Sequence, residues 1–271
     1  MTTPELAGVH IVVTRPRHQA AGLCRLIEAA GGIAIAFPML EIAPPQNPAS
    51  LRAIIDRLDE FDIAIFISAN AVHQGLDLIA RHRHLPPHLQ LAAVGRATAQ
   101  ALEQRGITVQ IAPPQRFDSE GLLEMKALQQ VSGKRIVIFR GEGGREHLAL
   151  TLTRRGAQVE YAECYRRIKP DVDVAPLIKR WQQGEVDIVV TTSNEGIRNL
   201  FELIGHSGKE LLCNSPLVVV SAAGAALATE LGMRIPPIVA AQASDEAILA
   251  AIKAWHLGAR RRREGAVHGG T

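Results

Sequence analysis

Hydroxyl side chains, arginines and glycines recur in this sequence at the ends of short apolar runs. Thr14, Arg15 and Arg17 follow the run from His10, Ser68 and Asn70 follow the run from Ile63, and Gly95, Arg96 and Thr98 follow the run from Leu91. Later, Arg140, Gly141, Gly143, Gly144 and Arg145 follow the run from Ile136, Thr192, Ser193 and Asn194 follow that from Asp187, and Ser221 follows that from Leu217. If the apolar runs are parallel strands, these residues stand where helix N-termini present free N–H groups and the positive end of the helix dipole. Guanidinium groups, hydroxyls and free N–H groups gathered in that way suit several carboxylates or phosphates. Any single serine or asparagine at such a place also reads as an ordinary helix N-cap, so the ensemble carries the inference rather than its members.

Other chemistries find little support. The run "RGEGGR" from Arg140 lacks the Gly-Lys-Ser/Thr ending of a phosphate loop and the third glycine of a dinucleotide fingerprint. His82, His84 and His88 cluster where a helical pattern ends in prolines, and a solvated helix end explains them better than a metal. No Ser-His-Asp or Cys-His order stands out. Cys24, Cys164 and Cys213 are odd in number and lack metal-ligand spacing, so reduced thiols are expected, Cys24 packing on an apolar helix face with Leu23 and Ile27.

The elements that must position the rim follow βαβ grammar. "HIVVT" is followed by Ala20, Leu23, Cys24 and Ile27 at helical spacing, then by a strand after Gly31-Gly32. Further strands are expected near 63–67, 91–94, 107–111, 136–139, 158–168, 187–191, 217–220 and 235–240, with helices between them. The sheets should be parallel and doubly wound. The pattern also repeats, because "IVVTRP" from Ile11 answers "IVIFRG" from Ile136, a 125-residue offset that also matches Ser68 with Ser193 and Leu23 with Leu148. So long a period fits a duplicated α/β domain and leads one to expect a shared ligand between two similar lobes.

"FPMLEIAPP" from Phe37 and "ECYRRIKP" from Glu163 run on extended beyond their strands, end in proline and hold matching places in the repeat. Two surface loops would explain them, but a two-stranded β-ladder joining the lobes explains their retention in both copies. The expected fold is therefore two similar doubly wound parallel-sheet α/β lobes joined by that ladder.

The chain has 271 residues, a net charge of +3 and a pI near 8.9, and Arg260 to Arg263 alone exceed that excess. The body is near neutral, so neither nucleic-acid binding nor a membrane partner is expected. The opening "MTTPELAGVH" has no basic region or long apolar stretch, and no run is long enough to span a bilayer, so a soluble cytoplasmic protein is expected.

From Val9 to Trp255 the ordered strings "VVTRPRHQAAGL", "GGIAIAFPMLEIAPP", "IFISANAV", "AVGRATAQAL", "DSEGLLE" and "GKRIVIFRGEGGREHLALTLTRRGAQVEYAECYRR" closely resemble the uroporphyrinogen-III synthase family. The resemblance implies one discontinuous lobe of residues 1–37 with 171–258, an inserted lobe of 46–160 and connecting strands at 38–45 and 161–170; the polar, basic composition of 259–271 separately leads one to expect a disordered tail there. It also implies a reaction in haem biosynthesis. Linear hydroxymethylbilane, which bears eight carboxylates, loses water and closes to uroporphyrinogen III with its last pyrrole ring inverted. No metal or organic cofactor is implied. The electron-rich pyrroles expel the hydroxyl to give an azafulvene, and the enzyme must chiefly curl the chain so that a spiro intermediate precedes spontaneous closure, which is catalysis by positioning and electrostatics.

The family's linker-strand tyrosine falls on Tyr165. A tyrosine with an ordinary pKa of about 10 is protonated at neutral pH and can donate a hydrogen bond to the departing hydroxyl; packing on a bridge strand is the other role open to it. The family's threonine in the "VGxAT" turn falls on Thr98, whereas the matching threonine of the second half is replaced here by Gly224, for which Ser221 could compensate. Arg15, Ser68, Arg140 and Ser193 are substrate-binding candidates by position, and Thr98 and Ser221 are substrate-binding candidates at the two matching turns. A monomer is expected, with a transient contact to the preceding pathway enzyme left open. The rival class is a non-catalytic, two-lobed regulatory protein that binds a small anion.

Overall fold

The computed structural model describes residues 4–268, with side chains through residue 261. Among the described residues ten strands appear in chain order: β1 His10–Val13, β2 Ile33–Ala36, β3 Glu41–Ala43, β4 Ile63–Phe66, β5 Gln90–Ala93, β6 Arg135–Gly141, β7 Gln158–Ile168, β8 Ile188–Val190, β9 Leu217–Val219 and β10 Ile238–Val239. The chain divides into two compact units, Met1–Glu41 with Ile168–Thr271, and Ile42–Arg167.

The sheet of the first unit has the order β10-β9-β8-β1-β2, and each pairing in it is parallel. The first strand thus lies inside, and the winding reverses between β1 and β8, where Ile11 pairs with Ile188 and Val13 with Val190. Side chains alternate between two buried layers: Ile188 and Val190 join the layer that holds Leu23, Ile27, Ile248 and Ile252, while Val189 joins the layer of Trp181, Leu200 and Leu227. Strands covered on both faces read as continuous apolar runs, which is why "IVV" suffices here.

The second unit repeats this plan with the order β3-β7-β6-β4-β5, and the winding reverses between β4 and β6. Ile63 pairs with Ile136 and Phe66 with Phe139. The Phe66 and Phe139 rings stack with centroids 4.6 Å apart. The helix Ala69–His82 crosses that stack at Gly75, where a Cβ would fall 2.8 Å from the Phe139 ring. Each sheet takes strands from both copies of the sequence repeat, since β1 pairs with β8 and β4 with β6.

Four expectations need correction. Residues 107–111 form no strand, and only an isolated bridge joins Ile111 to Ala92. Of 235–240 only Ile238–Val239 forms a strand, because Pro236 and Pro237 cannot donate to a ladder. The extended run from Phe37 is interrupted: Pro38 offers no N–H, Met39 turns its side chain fully into the core of the first unit, and strand pairing resumes at Glu41 as β3 beside β7. Where a disordered tail was expected from residue 259, the last helix, Asp245–His268, continues; alanine and arginine are strong helix formers, and acidic Asp245 and Glu246 sit in its first turn. Residues 269–271 of that expected tail lie outside the described residues. Among the described residues, no helix is long and apolar enough to cross a membrane.

Candidate functional site

In the second unit the strand ends of β4, β5, β6 and β7 carry the polar residues picked out above. Ser68 lies two residues beyond β4 and caps the helix Ala69–His82, its Oγ accepting the N–H of Ala71 at 3.1 Å. The same Oγ lies 3.1 Å from the phenolic oxygen of Tyr165, which comes from β7 and is only 1% exposed. A bulge puts it there. Arg140 pairs with Glu163 and the next residue, Gly141, with Tyr165, so Cys164 is the extra residue and both Cys164 and Tyr165 turn inward. Gly141 makes room for the ring, since a Cβ there would fall 2.7 Å from Tyr165 Cε2 and Cζ. Cys164 donates to the Arg140 carbonyl, and burial pushes its thiol up to about 12.

Beside Tyr165 opens a cavity of about 300 Å³ whose walls include Ser119, Arg140, Gly144, Arg145, Tyr161 and Arg167. Arg140 is 3% exposed, yet its partners among the described residues are the Gly141 carbonyl, to which Nε donates at 3.1 Å, and the face of Tyr161, 4.5 Å from its guanidinium carbon. Gly143 and Gly144 both take positive φ and bring backbone to the mouth of the cavity; a Cβ on Gly144 would fall 3.0 Å from Arg140 Nη2. Arg167 lies over the Tyr165 ring at 5.9 Å. Four arginines of this rim, Arg96, Arg140, Arg145 and Arg167, have no carboxylate partner among the described residues, whereas Arg57, Arg83, Arg105 and Arg135 of the same unit are ion-paired. A buried guanidinium without a counter-ion is costly, and an anionic ligand would offset that cost.

Thr98 is buried in the first turn of the helix Arg96–Glu103, which starts from Gly95 at the end of β5. His82, His84 and His88 do not form a site: His82 meets Arg52, His88 lies 3.1 Å from the Asp59 carbonyl, and no group able to hold a metal is present among the described residues.

In the first unit Arg15 stands where the winding reverses, but it is already engaged. Its Nη1 pairs with Asp245 and its Nε donates to Thr192 Oγ1 at 3.3 Å. Gly22 permits that pair, because a Cβ there would fall 2.5 Å from Asp245 Oδ2. Ser193 and Ser221 cap the helices Asn194–Leu203 and Ala222–Glu230, accepting the N–H of Gly196 and of Gly224, each at 3.0 Å. The two matched rims thus differ, one holding its switch-point arginine in an internal ion pair and the other leaving it free of any acid among the described residues. Sequence reasoning passed over Tyr161, Arg167, Ser119 and Asp245. Arg167, two residues beyond Tyr165 on one strand, was the one with a usable signal.

Two doubly wound parallel sheets with hydroxyl-bearing rims, one enclosing a cavity walled by unpaired guanidinium groups, define an α/β protein suited to a small molecule with several carboxylates. The family model described as uroporphyrinogen-III synthase HemD matches residues 22–250. The uroporphyrinogen-III synthase of Escherichia coli (strain K12) is 37% identical over 245 residues, covering 90% of this chain and 99% of that protein. That of Salmonella typhimurium (strain LT2) is 36% identical over 248 residues, with the same coverage of 90% and 99%. In structure the chain resembles a mutant uroporphyrinogen III synthase of the extremely thermophilic bacterium Thermus thermophilus, with a TM-score of 0.61 and 20% identity over 92% of this chain and 99% of that one. The chain belongs to the uroporphyrinogen-III synthase family.

Proposed function

We propose that this chain is a cyclising hydro-lyase that converts hydroxymethylbilane to uroporphyrinogen III in haem biosynthesis. The observation that carries the assignment, beside family membership, is the set of unpaired guanidinium groups around the Tyr165 cavity, with Arg140 buried among them. A substrate with eight carboxylates supplies the counter-charge this rim lacks, and a neutral or cationic substrate would leave Arg140 uncompensated.

Arg140, with Arg145 and Arg167 beside it, is assigned to substrate carboxylates. Tyr165 is assigned the proton donation. Its phenol shares a hydrogen bond with Ser68, and rotation of the Ser68 hydroxyl lets the serine accept from Tyr165 or donate to it. The pyrrole nitrogen supplies the electron pair that breaks the carbon–oxygen bond, the hydroxyl leaves as water with the donated proton, the proton released from that pyrrole N–H restores the phenol, and the neutral azafulvene closes through the spiro intermediate. Nothing in that sequence requires a nucleophilic side chain. Thr98 is assigned a positioning role in the turn after β5. In the first unit Ser193 and Ser221 are assigned carboxylate contacts through the helix N-termini they cap. Arg15, neutralised by Asp245, is assigned a weaker contact of the same kind. Gly224 leaves ordinary to tight room where the family threonine would stand, a Cβ there meeting Ser221 Oγ at 3.3 Å, so Ser221 is the hydroxyl available at that turn.

The test is to supply hydroxymethylbilane and separate the products by chromatography. The type III isomer is expected; type I alone, as forms in buffer, would overturn the assignment in favour of a small-anion-binding regulatory protein. The same assignment has the chain working as a cytoplasmic monomer in transient contact with the enzyme that makes its substrate. A sedimentation coefficient that rises with concentration would refute the monomer.

A further inference from the structure

Phe117 is one of few large apolar side chains on the surface, 41% exposed, and it sits on the rim of the second unit. A single exposed phenylalanine is ordinary in itself. This one is held in place from several sides. Asp118 caps the following helix, accepting the N–H of Gly121 at 2.8 Å, and a Cβ on Gly121 would fall 1.9 Å from the Arg116 carbonyl oxygen. On the other side the Phe117 carbonyl approaches Gly95, where a Cβ would lie at 3.6 Å. The backbone that follows is therefore held by the cap, while the ring, covered in part by Arg96, stays partly exposed. Two residues further on, Ser119 lines the Tyr165 cavity, so the segment links that cavity to the turn of Gly95 and Thr98.

The guanidinium of exposed Arg96 lies over the Phe117 ring, its central carbon 4.8 Å from the centroid. Arg96 has no carboxylate partner among the described residues, although arginine is the side chain best able to find one. A guanidinium stacked on a ring keeps its N–H edge free, so the pair offers an apolar surface and an anion-binding edge side by side. A pyrrole bearing carboxylate side chains has the same two faces.

We propose that Phe117 and Arg96 form a platform on which one non-reacting pyrrole ring of the substrate is laid, the ring against Phe117 and its carboxylate on Arg96. The proposal rests on the synthase assignment above and adds two substrate-binding residues to it. Phe117 holds one ring, and because that ring does not react, its contact binds ground state and transition state alike and so lowers KM without changing kcat.

Steady-state kinetics with hydroxymethylbilane test this once the wild-type chain has given the type III isomer, which separates failure of the platform from failure of the assignment. Phe117→Ala is expected to raise KM about tenfold, the value of one stacking contact, with kcat within about twofold. Phe117→Tyr, which keeps the ring, is expected to restore KM. Arg96→Met is expected to raise KM to a similar extent and to make it less sensitive to salt. Unchanged KM in both Phe117→Ala and Arg96→Met overturns the platform. So does an equal rise in Phe117→Ala and Phe117→Tyr, which would mark a disturbed loop. If Phe117→Ala does not fold, Arg96→Met alone decides, unchanged KM again refuting the proposal.

Discussion

The phenolic oxygen of Tyr165 lies 3.1 Å from Ser68 Oγ, and that same Oγ accepts the N–H of Ala71. One serine therefore caps a helix and orients the phenol, so the turn after β4 is joined to β7 by a side-chain bond over 97 residues of sequence. Tyr165→Phe removes the proton donor and leaves the ring in place. The expected outcome is a fall in kcat of about a hundredfold with KM little changed, and a stability loss of ~1 kcal/mol. Steady-state rates and urea unfolding check it, and unchanged turnover would remove Tyr165 from the mechanism. Adding Ser68→Ala completes a double-mutant cycle in which a coupling of about 1 kcal/mol is expected.

Gly141→Ala acts on the same ring from the opposite side. Its Cβ would fall 2.7 Å from two Tyr165 ring atoms, closer than packed atoms approach. The ring must move, at a cost of about 1–3 kcal/mol. Activity is expected to fall at least as far as in Tyr165→Phe, although the phenol is retained. Wild-type activity with a wild-type denaturation midpoint would show that the ring has slack.

Arg140→Met separates binding from stability. The methionine stem can keep packing against Tyr161 while the unpaired buried charge disappears. Thermal stability is expected to hold or rise, whereas affinity for uroporphyrinogen III is expected to fall about tenfold or more, since a charge-assisted hydrogen bond contributes roughly 1.5–3 kcal/mol. Calorimetry and thermal melting give both numbers. A large drop in the melting point with unchanged affinity would make Arg140 a structural residue.

Cys164 predicts how stability responds to alkali. Its thiol rises from an ordinary 9.0 to about 12 through burial, so the folded state holds the proton more tightly than the unfolded chain. The contribution is fully present below pH 9 and is lost as pH climbs from there towards about 12, with a slope of up to ~1.4 kcal/mol per pH unit. Urea midpoints between about pH 8 and 11 should therefore fall more steeply in the wild type than in Cys164→Ala. Parallel curves would refute the buried thiol as the cause.

Much of the fold was legible because apolar periodicity, turn glycines and the 125-residue echo are local or self-referential signals. Strands β4, β8 and β9 lie within the apolar runs that announce them, since a strand covered on both faces has no polar positions to blur its pattern. The edges were less legible. Ile111 forms only an isolated bridge and β10 is two residues long, because pairing at an edge depends on which neighbour arrives and on where prolines fall. The last helix outran its expected end at residue 258, since a basic run of strong helix formers reads equally as solvated coil.

By itself, the sequence determined the α/β class, the duplication, the strand-end positions of Ser68, Arg140, Ser193 and Ser221, and the family. The tertiary structure alone decided what those residues are free to do. Arg15 and Arg140 look alike in the chain, each following a matched apolar run of the repeat. Asp245, 230 residues away, neutralises the first, while the second is buried against Tyr161 without an acid among the described residues. The bulge at Cys164 turns Tyr165 inward to Ser68, against the alternation a regular strand would have. Charge pairing and register shifts are settled by which distant backbone arrives alongside, and no local pattern of residue types encodes that arrival.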